Sequence, residues 1–284
     1  MSKILVTGAT GNVGREIVNI FTRENLSVAA GVSDLAKASA KFSESVELRE
    51  LNFNKPETFQ ISLKNVSKVF LMLPPGLRDL RKTIFPFVAA CRHLSVEQIV
   101  LLSVQGAEKS SLLPHRKIER EILRQQIPYT FLRPSYFHQN FLTTHRDEVK
   151  SKGEIFIPAG RGRTSFVDTR DVAAVAFKTF FDNRYLKCEF ELTGREALDY
   201  YELAEIFTKV LQKPVRYANP SLVRFVWQSW RKRGNLPFVL IMAMLYTSAR
   251  LGRAAHVTND LEILLEKPPI AFEQFVRDCA DVWL

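Results

Sequence analysis

An α/β fold, with a Rossmann-type doubly wound parallel sheet and a smaller, mainly helical C-terminal part, is predicted from three observations. The chain opens on an apolar run over residues 4–6 that breaks into glycines at three-residue spacing, Gly8, Gly11 and Gly14. Apolar runs then alternate with helix-patterned stretches as far as Pro134. Those runs are continuous rather than alternating, the pattern of parallel strands covered on both faces.

Each element can be placed in order. The strand over 4–6 passes through the glycine turn into a helix whose Val13, Ile17, Val18 and Phe21 share one face. Further strands are predicted over 27–32 and 46–51, and a fourth over 69–73 is stopped by Pro74, Pro75 and Gly76. A helix over 83–94 leads to a fifth strand over 98–103. The next helix, 111–125, carries His115, Ile118, Ile122 and Leu123 near one stripe, and a sixth strand spans 129–133. Beyond Pro134 come short strands over 155–158 and 165–167, a helix over 169–181, a strand over 189–193 and a helix over 200–210. From Pro220 a helix runs to a break at 234–237, with Arg231, Lys232 and Arg233 as its solvated end, and resumes over 238–251. The expected division is a nucleotide-binding domain over 1–185 and a substrate-pocket domain over 186–284, with chain crossovers between them.

The bulk numbers narrow the class. With 284 residues, 46% hydrophobic and 25% charged, the chain can bury a core without covalent staples. Its longest apolar stretch, 238–246, falls short of the roughly 18 residues a membrane span needs and reads as a buried helix. The immediate entry into a strand leaves no room for a leader, so a cytoplasmic location is expected. Cys91, Cys188 and Cys279 are far apart and form no C-x-x-C, which argues against a disulfide framework or a zinc site. The histidines lack metal-ligand spacing, so no metal is expected.

The net charge of +10 is uneven: residues 1–189 hold 28 Lys and Arg against 19 Asp and Glu, and 190–284 hold 12 against 11. A basic field attracts an anionic dinucleotide and, equally, nucleic acid. No zinc finger or stacking-aromatic RNA motif accompanies it, so neither a specific nucleic acid nor a membrane is an expected partner.

The glycine turn carries the chemistry. Gly8 suits the tight turn, Gly11 close approach of a phosphate, and Gly14 close packing of the helix, whose N-terminus favours an anion. Thr7, Thr10, Asn12 and Val13 complete the candidate cofactor loop. The spacing G-x-x-G-x-x-G departs from G-x-G-x-x-G, so the strand–turn–helix context carries the reading.

Taken in order, the segments resemble a known family. They are the loop from Thr7 to Gly14, Leu73-Pro74-Pro75-Gly76, Ser103-Val104-Gln105-Gly106-Ala107, Leu132-Arg133-Pro134 with Asn140 beyond, and Val167-Asp168-Thr169-Arg170-Asp171-Val172-Ala173. The resemblance is to the NmrA-like, atypical short-chain dehydrogenase/reductases, above all their quinone- and azo-dye-reducing branch. It implies an NAD(P)H-dependent oxidoreductase that passes hydride to a small quinone-like or azo acceptor. It also implies NADP or NAD as cofactor, NADPH slightly favoured, with Leu73, Pro74 and Pro75 beside it.

Two departures matter. Ordinary short-chain dehydrogenases carry Tyr-x-x-x-Lys on the helix after strand five, where this chain has His115 and Glu119 at i, i+4. Either His115 orients or protonates the acceptor with Glu119 tuning it, or the two form an ordinary helix-face pair among Arg116, Lys117 and Arg120. At the end of strand two stand Ser33 and Asp34, where a carboxylate can bond a ribose 2′-OH, or else cap the next helix. Lys37 or Lys41 could instead supply positive charge, and the choice between NAD and NADP stays open.

Other candidates are Ser103, for the nicotinamide or substrate or else for local backbone, and Tyr136, Phe137 and His138 for stacking on a flat acceptor, with core packing the alternative for the two aromatics. Two further functions are compatible with the resemblance. One is a non-catalytic NAD(P)-binding redox sensor reporting to a regulatory protein partner. The other is a nucleotide-sugar epimerase-like enzyme, disfavoured by the missing tyrosine.

Overall fold

The computed structural model describes residues 3–77 and 79–284. The chain starts as alternating strands and helices: β1 (Lys3–Thr7), α1 (Asn12–Arg23), β2 (Val28–Val32), α2 (Leu35–Ser39), β3 (Glu47–Glu50) and α3 (Glu57–Ser62). It continues through β4 (Val66–Met72), α4 (Ile84–His93), β5 (Gln98–Leu102), α5 (Pro114–Arg124) and β6 (Tyr129–Pro134). Short elements follow: β7 (Tyr136–Phe137), α6 (Arg146–Lys152), β8 (Glu154–Ile155) and β9 (Phe166–Val167). Then come α7 (Thr169–Phe181), β10 (Cys188–Leu192), α8 (Tyr200–Leu211) and β11 (Arg216–Tyr217). The chain ends in helices α9 (Leu222–Arg233), α10 (Leu236–Arg250), α11 (Asp260–Leu265) and α12 (Phe272–Asp278).

Two units share these elements. The first comprises the described residues through Pro134 together with Thr169–Leu192, and the second Ser135–Asp168 together with Thr193–Leu284. This corrects the expected boundary after residue 185. Residues 135–168 belong to the second unit because β8 pairs with β11, and Phe141, Ile155 and Ile157 join a core with Phe207, Phe225 and Phe272. Residues 186–192 belong to the first because β10 pairs along β6.

The first unit is built on a seven-stranded sheet in the order β10-β6-β5-β4-β1-β2-β3. Every pairing in it is parallel. β1, β2 and β5 are almost wholly buried, as their continuous apolar sequence requires. The order reverses between β1 and β4, and such a reversal opens a crevice outside the strand C-termini. On α1 the predicted face of Val13, Ile17, Val18 and Phe21 is buried, and Phe21 meets Phe177 of α7 edge-on with centroids 5.0 Å apart.

Two expectations about helix faces change. On α5 the buried residues are Ile118, Glu119, Glu121 and Ile122, whereas Leu123 is 40% exposed. The Glu119 carboxylate goes inward because cations wait there, as described below, while Glu121 is held by Arg124 of the same helix. On α10, in the second unit, Val239, Met242, Ala243 and Tyr246 are buried, but Leu240, Ile241, Met244 and Leu245 face outward. That helix is thus covered on one side only. No helix among the described residues is long and apolar enough to cross a membrane.

Candidate functional site

The carboxyl ends of β1, β2, β4 and β5 bring four sequence-predicted segments to one edge of the sheet: the glycine loop, Ser33–Asp34, Leu73–Pro75 and Ser103. Gly8 has φ +59°, a left-handed conformation suited to glycine, and a Cβ there would meet Met72 of β4. Gly11 is the N-cap of α1 in extended conformation, and its N–H donates to the Gly8 carbonyl at 2.9 Å. At Gly14 a Cβ would lie 2.9 Å from Gly8 C and 3.0 Å from Ala9 Cα, so only a bare Cα lets the helix start against the turn.

Among the described residues no side chain caps α1, and its first turn holds no acidic residue. Its leading N–H groups therefore keep the donor capacity and partial positive charge that a helix start offers an anion. A turn held open by missing Cβ atoms, next to an uncapped helix start at a sheet's switch point, fits a dinucleotide pyrophosphate. Thr10 is exposed and Asn12 half-buried in this loop. Thr7 and Val13 do other work: Thr7 Oγ1 accepts a bond of 3.0 Å from Met72 N, tying β1 to β4, and the Val13 side chain is in the core. Leu73 and Pro74 are half-buried and Pro75 exposed as the chain leaves β4.

After β2 the side chain of Asp34 turns to its own helix. It accepts from Lys37 N at 3.0 Å as the N-cap of α2, and its other oxygen lies 3.2 Å from Lys37 Nζ. The backbone N–H of Lys37 and then its side chain hold the Asp34 carboxyl below its ordinary pKa. The capping alternative is therefore the one the geometry realises, and Lys37 offsets the charge that would repel a 2′-phosphate. Ser33 beside it is exposed.

A buried ion cluster lies where β5, α5 and β6 meet. Glu119 has no exposed surface, Ser103 is 2% exposed and Arg133 5% exposed. Arg133 donates to both carboxylate oxygens of Glu119, Nε to Oε1 at 2.9 Å and Nη2 to Oε2 at 3.0 Å. Ser103 Oγ donates to Glu119 Oε1 at 2.7 Å, and Arg116 Nη1 to Oε2 at 2.8 Å. Arg133 also reaches Glu189 of β10 at 2.7 Å and Glu108 at 3.5 Å. Burial pushes the Glu119 pKa up, but the bonds from Arg133, Ser103 and Arg116 outweigh it and hold the carboxyl below its ordinary value.

This cluster revises two sequence roles. Ser103 donates its hydroxyl hydrogen to Glu119, leaving only its lone pairs for another partner, and Glu119 is shared among Ser103 and two arginines while its charge still acts on His115. His115 sits one turn before Glu119, half-buried. Burial lowers its pKa and the charge of Glu119 offsets only part of that, so the fold favours the neutral imidazole. Sequence reasoning missed Arg133, Glu108 and Glu189 as partners. The available signal was an arginine inside an apolar strand, which must find carboxylates to be buried.

Tyr136 belongs to the second unit, where its hydroxyl donates to the Leu245 carbonyl at 2.9 Å and its ring lies edge-on to Phe166. Burial pushes its pKa up to about 12, which makes it a poor proton donor at neutral pH. His138 is buried among aromatic rings, its own 5.2 Å from those of Phe272 and Phe275 and its Nδ1 3.6 Å from Asp168 Oδ2. Gln139 Nε2 donates to the other Asp168 oxygen at 2.8 Å.

These features coincide with a known family. Residues 1–248 match the model of the NmrA-like family, and the chain belongs to it. The "Prestalk A differentiation protein A" of Dictyostelium discoideum is 28% identical over 278 residues, covering 97% of this chain and 91% of that protein. An NAD(P)H azoreductase of Xenophilus azovorans is also 28% identical, over 282 residues and 96% of each chain. Among solved structures, the triphenylmethane reductase of Citrobacter sp. complexed with NADP(H) superposes with a TM-score of 0.85 at 25% identity, covering 97% of this chain and 99% of that one.

Proposed function

We propose that this protein is an NAD(P)H-dependent reductase whose acceptor is a small, electron-poor aromatic molecule of the quinone or azo class. The observation that carries the reading is the glycine turn at the β1/β4 switch point, which leaves the start of α1 uncapped for a pyrophosphate. Gly8, Gly11, Thr10, Asn12 and Gly14 would hold the dinucleotide, with Leu73 to Pro75 beside it. NADPH is the favoured form, in line with the NADP(H) complex of the Citrobacter relative and with the capped, lysine-paired Asp34. When bound, the nicotinamide supplies a hydride.

The azo class follows from the azoreductase relative, and the quinone class from the replacement of Tyr-x-x-x-Lys by His115 and Glu119. An electron-poor acceptor needs no strong acid in the site; a hydrogen bond to the developing negative charge suffices. His115 is the residue proposed for it, since a neutral imidazole keeps one N–H to donate. Glu119, Arg133 and Ser103 act behind it as positioning residues that lock α5 against β5 and β6.

The test is oxidation of NADPH and NADH with and without benzoquinone or an azo dye, for the natural protein and for His115→Ala. Acceptor-dependent turnover that His115→Ala lowers by about 10²-fold supports the proposal. Full kcat/KM in the variant would remove His115 from the mechanism. A second reading, a redox sensor that binds cofactor without chemistry, draws on the commitment of Ser103 to Glu119 and of Glu119 to Arg133. Tight binding without turnover on any acceptor would favour it.

A further inference from the structure

The near-even charge of residues 190–284 hides a segregation. Between Glu205 and Asp260 the sequence contains no acidic residue and nine lysines and arginines. Helices α9 and α10 lie in this stretch and pack on each other. Each buries one side, through Phe225 in α9 and Val239, Met242 and Tyr246 in α10.

Each also turns a second apolar stripe outward. On α9, Val223, Trp227 and Trp230 follow i, i+4, i+7 spacing and are 79%, 51% and 47% exposed. On α10, Leu240, Ile241 and Met244 are 50%, 54% and 59% exposed. Cations accompany the α9 stripe: Arg224 and Arg231 are exposed, and the Arg231 guanidinium lies 4.9 Å over the Trp227 ring. A helix that only met water would be polar on that face, and exposed apolar area on this scale marks an interaction surface.

We propose that the α9–α10 pair docks on an anionic lipid surface, with the apolar stripes in the headgroup–acyl boundary and the arginines on acidic headgroups. Three physical points favour lipid. Helices of 12 and 15 residues are too short to span a bilayer but long enough to lie in its interface. Tryptophan prefers the membrane–water boundary, where its ring is apolar and its N–H wet. Lys232 of α9 is already paired with Asp147 and Glu148 of α6, and a second copy is the weaker occupant because a two-fold contact would press the remaining exposed cations, Arg224 and Arg231, against their own copies.

The experiment is cosedimentation of the full chain with vesicles of phosphatidylcholine alone and of equal parts phosphatidylcholine and phosphatidylglycerol, alongside sedimentation velocity without lipid. Binding to the anionic vesicles alone, weakened by salt and accompanied by a blue shift of tryptophan emission, is expected. Arg224→Ala with Arg231→Ala should weaken binding by about fivefold per arginine removed. Ile241→Glu with Met244→Glu should abolish it; both sites are exposed, so circular dichroism should be unchanged. Failure to bind either vesicle, or equal binding to both, overturns the proposal. So does a lipid-free dimer that Ile241→Glu with Met244→Glu converts to monomer, since a second copy would then cover the face. Vesicle binding is read without turnover, so a failure here is distinct from a failure of the reductase reading.

Discussion

Replacing Arg133 by leucine removes both N–H donors that Glu119 receives from β6 and leaves a carboxylate without exposed surface facing Arg116 and Ser103 alone. Removing one partner of a buried ion pair costs about 3–5 kcal/mol, whereas replacing both with apolar groups is often near neutral. The surviving bonds at 2.8 and 2.7 Å soften the loss. Glu108 and Glu189 also lose a cation, but their side chains are 29% and 37% exposed and can rehydrate. The expected cost is therefore at the lower end, about 3 kcal/mol. The assay is a double-mutant cycle of Arg133→Leu, Glu119→Leu and the pair together, by urea unfolding at neutral pH. The pair should be less destabilised than the sum of the singles by about 2 kcal/mol. Additivity within about 0.5 kcal/mol would refute the ion-pair account. The pH sign is fixed as well. The Glu119 pKa is depressed on folding, so its contribution is complete above the ordinary carboxylate pKa and is lost as pH falls through the folded value. The coupling should shrink accordingly in acid.

Gly14→Ala would place a methyl 2.9 Å from Gly8 C, against backbone that cannot step aside, so Tm should fall and the NADPH Kd measured by fluorescence should rise by about tenfold or more. His145 is fully enclosed beside the Tyr246 hydroxyl, and burial drives its pKa from 6.5 down to about 4. A histidine that must stay neutral when folded costs stability once the unfolded chain can protonate, so about 3 kcal/mol should be lost as pH falls from 6.5 to 4. Urea unfolding across that range should show a flatter pH slope for His145→Gln. Asp34→Asn keeps an α2 cap and removes a charge, so the ratio of NADPH to NADH affinity should rise in titrations of both cofactors.

Most of the first unit was legible because its signals are local. The strand–glycine–helix opening, the apolar runs and the stripe of Val13, Ile17, Val18 and Phe21 depend on residues close together in the chain, and β1 through β6 appear where they were read. The short helix α3 was missed, since six residues give too little periodicity to register, and α2 was read only as the helix that Asp34 could cap. The direction of a side chain was legible only where its partner was near. Asp34 capping α2 could be weighed from sequence, because Lys37 is three residues on. Arg133 meeting Glu119 and Glu189 could not, because the strand pairing that joins them is non-local. The same holds for α10, whose uniform apolar sequence does not say which side meets the core. The boundary between units failed for this reason too, being set by β8 finding β11 about sixty residues away.

The central claim is that the glycine turn holds a nicotinamide cofactor whose hydride leaves for an acceptor. The most direct measurement is a single turnover of NADPH carrying deuterium on C4 of the nicotinamide, followed by loss of the reduced-nicotinamide absorbance with and without benzoquinone. Oxidation should require the quinone, run slower with deuterium than with hydrogen, and weaken in Gly14→Ala. NADPH held tightly and left unoxidised by quinones and azo dyes alike would contradict it.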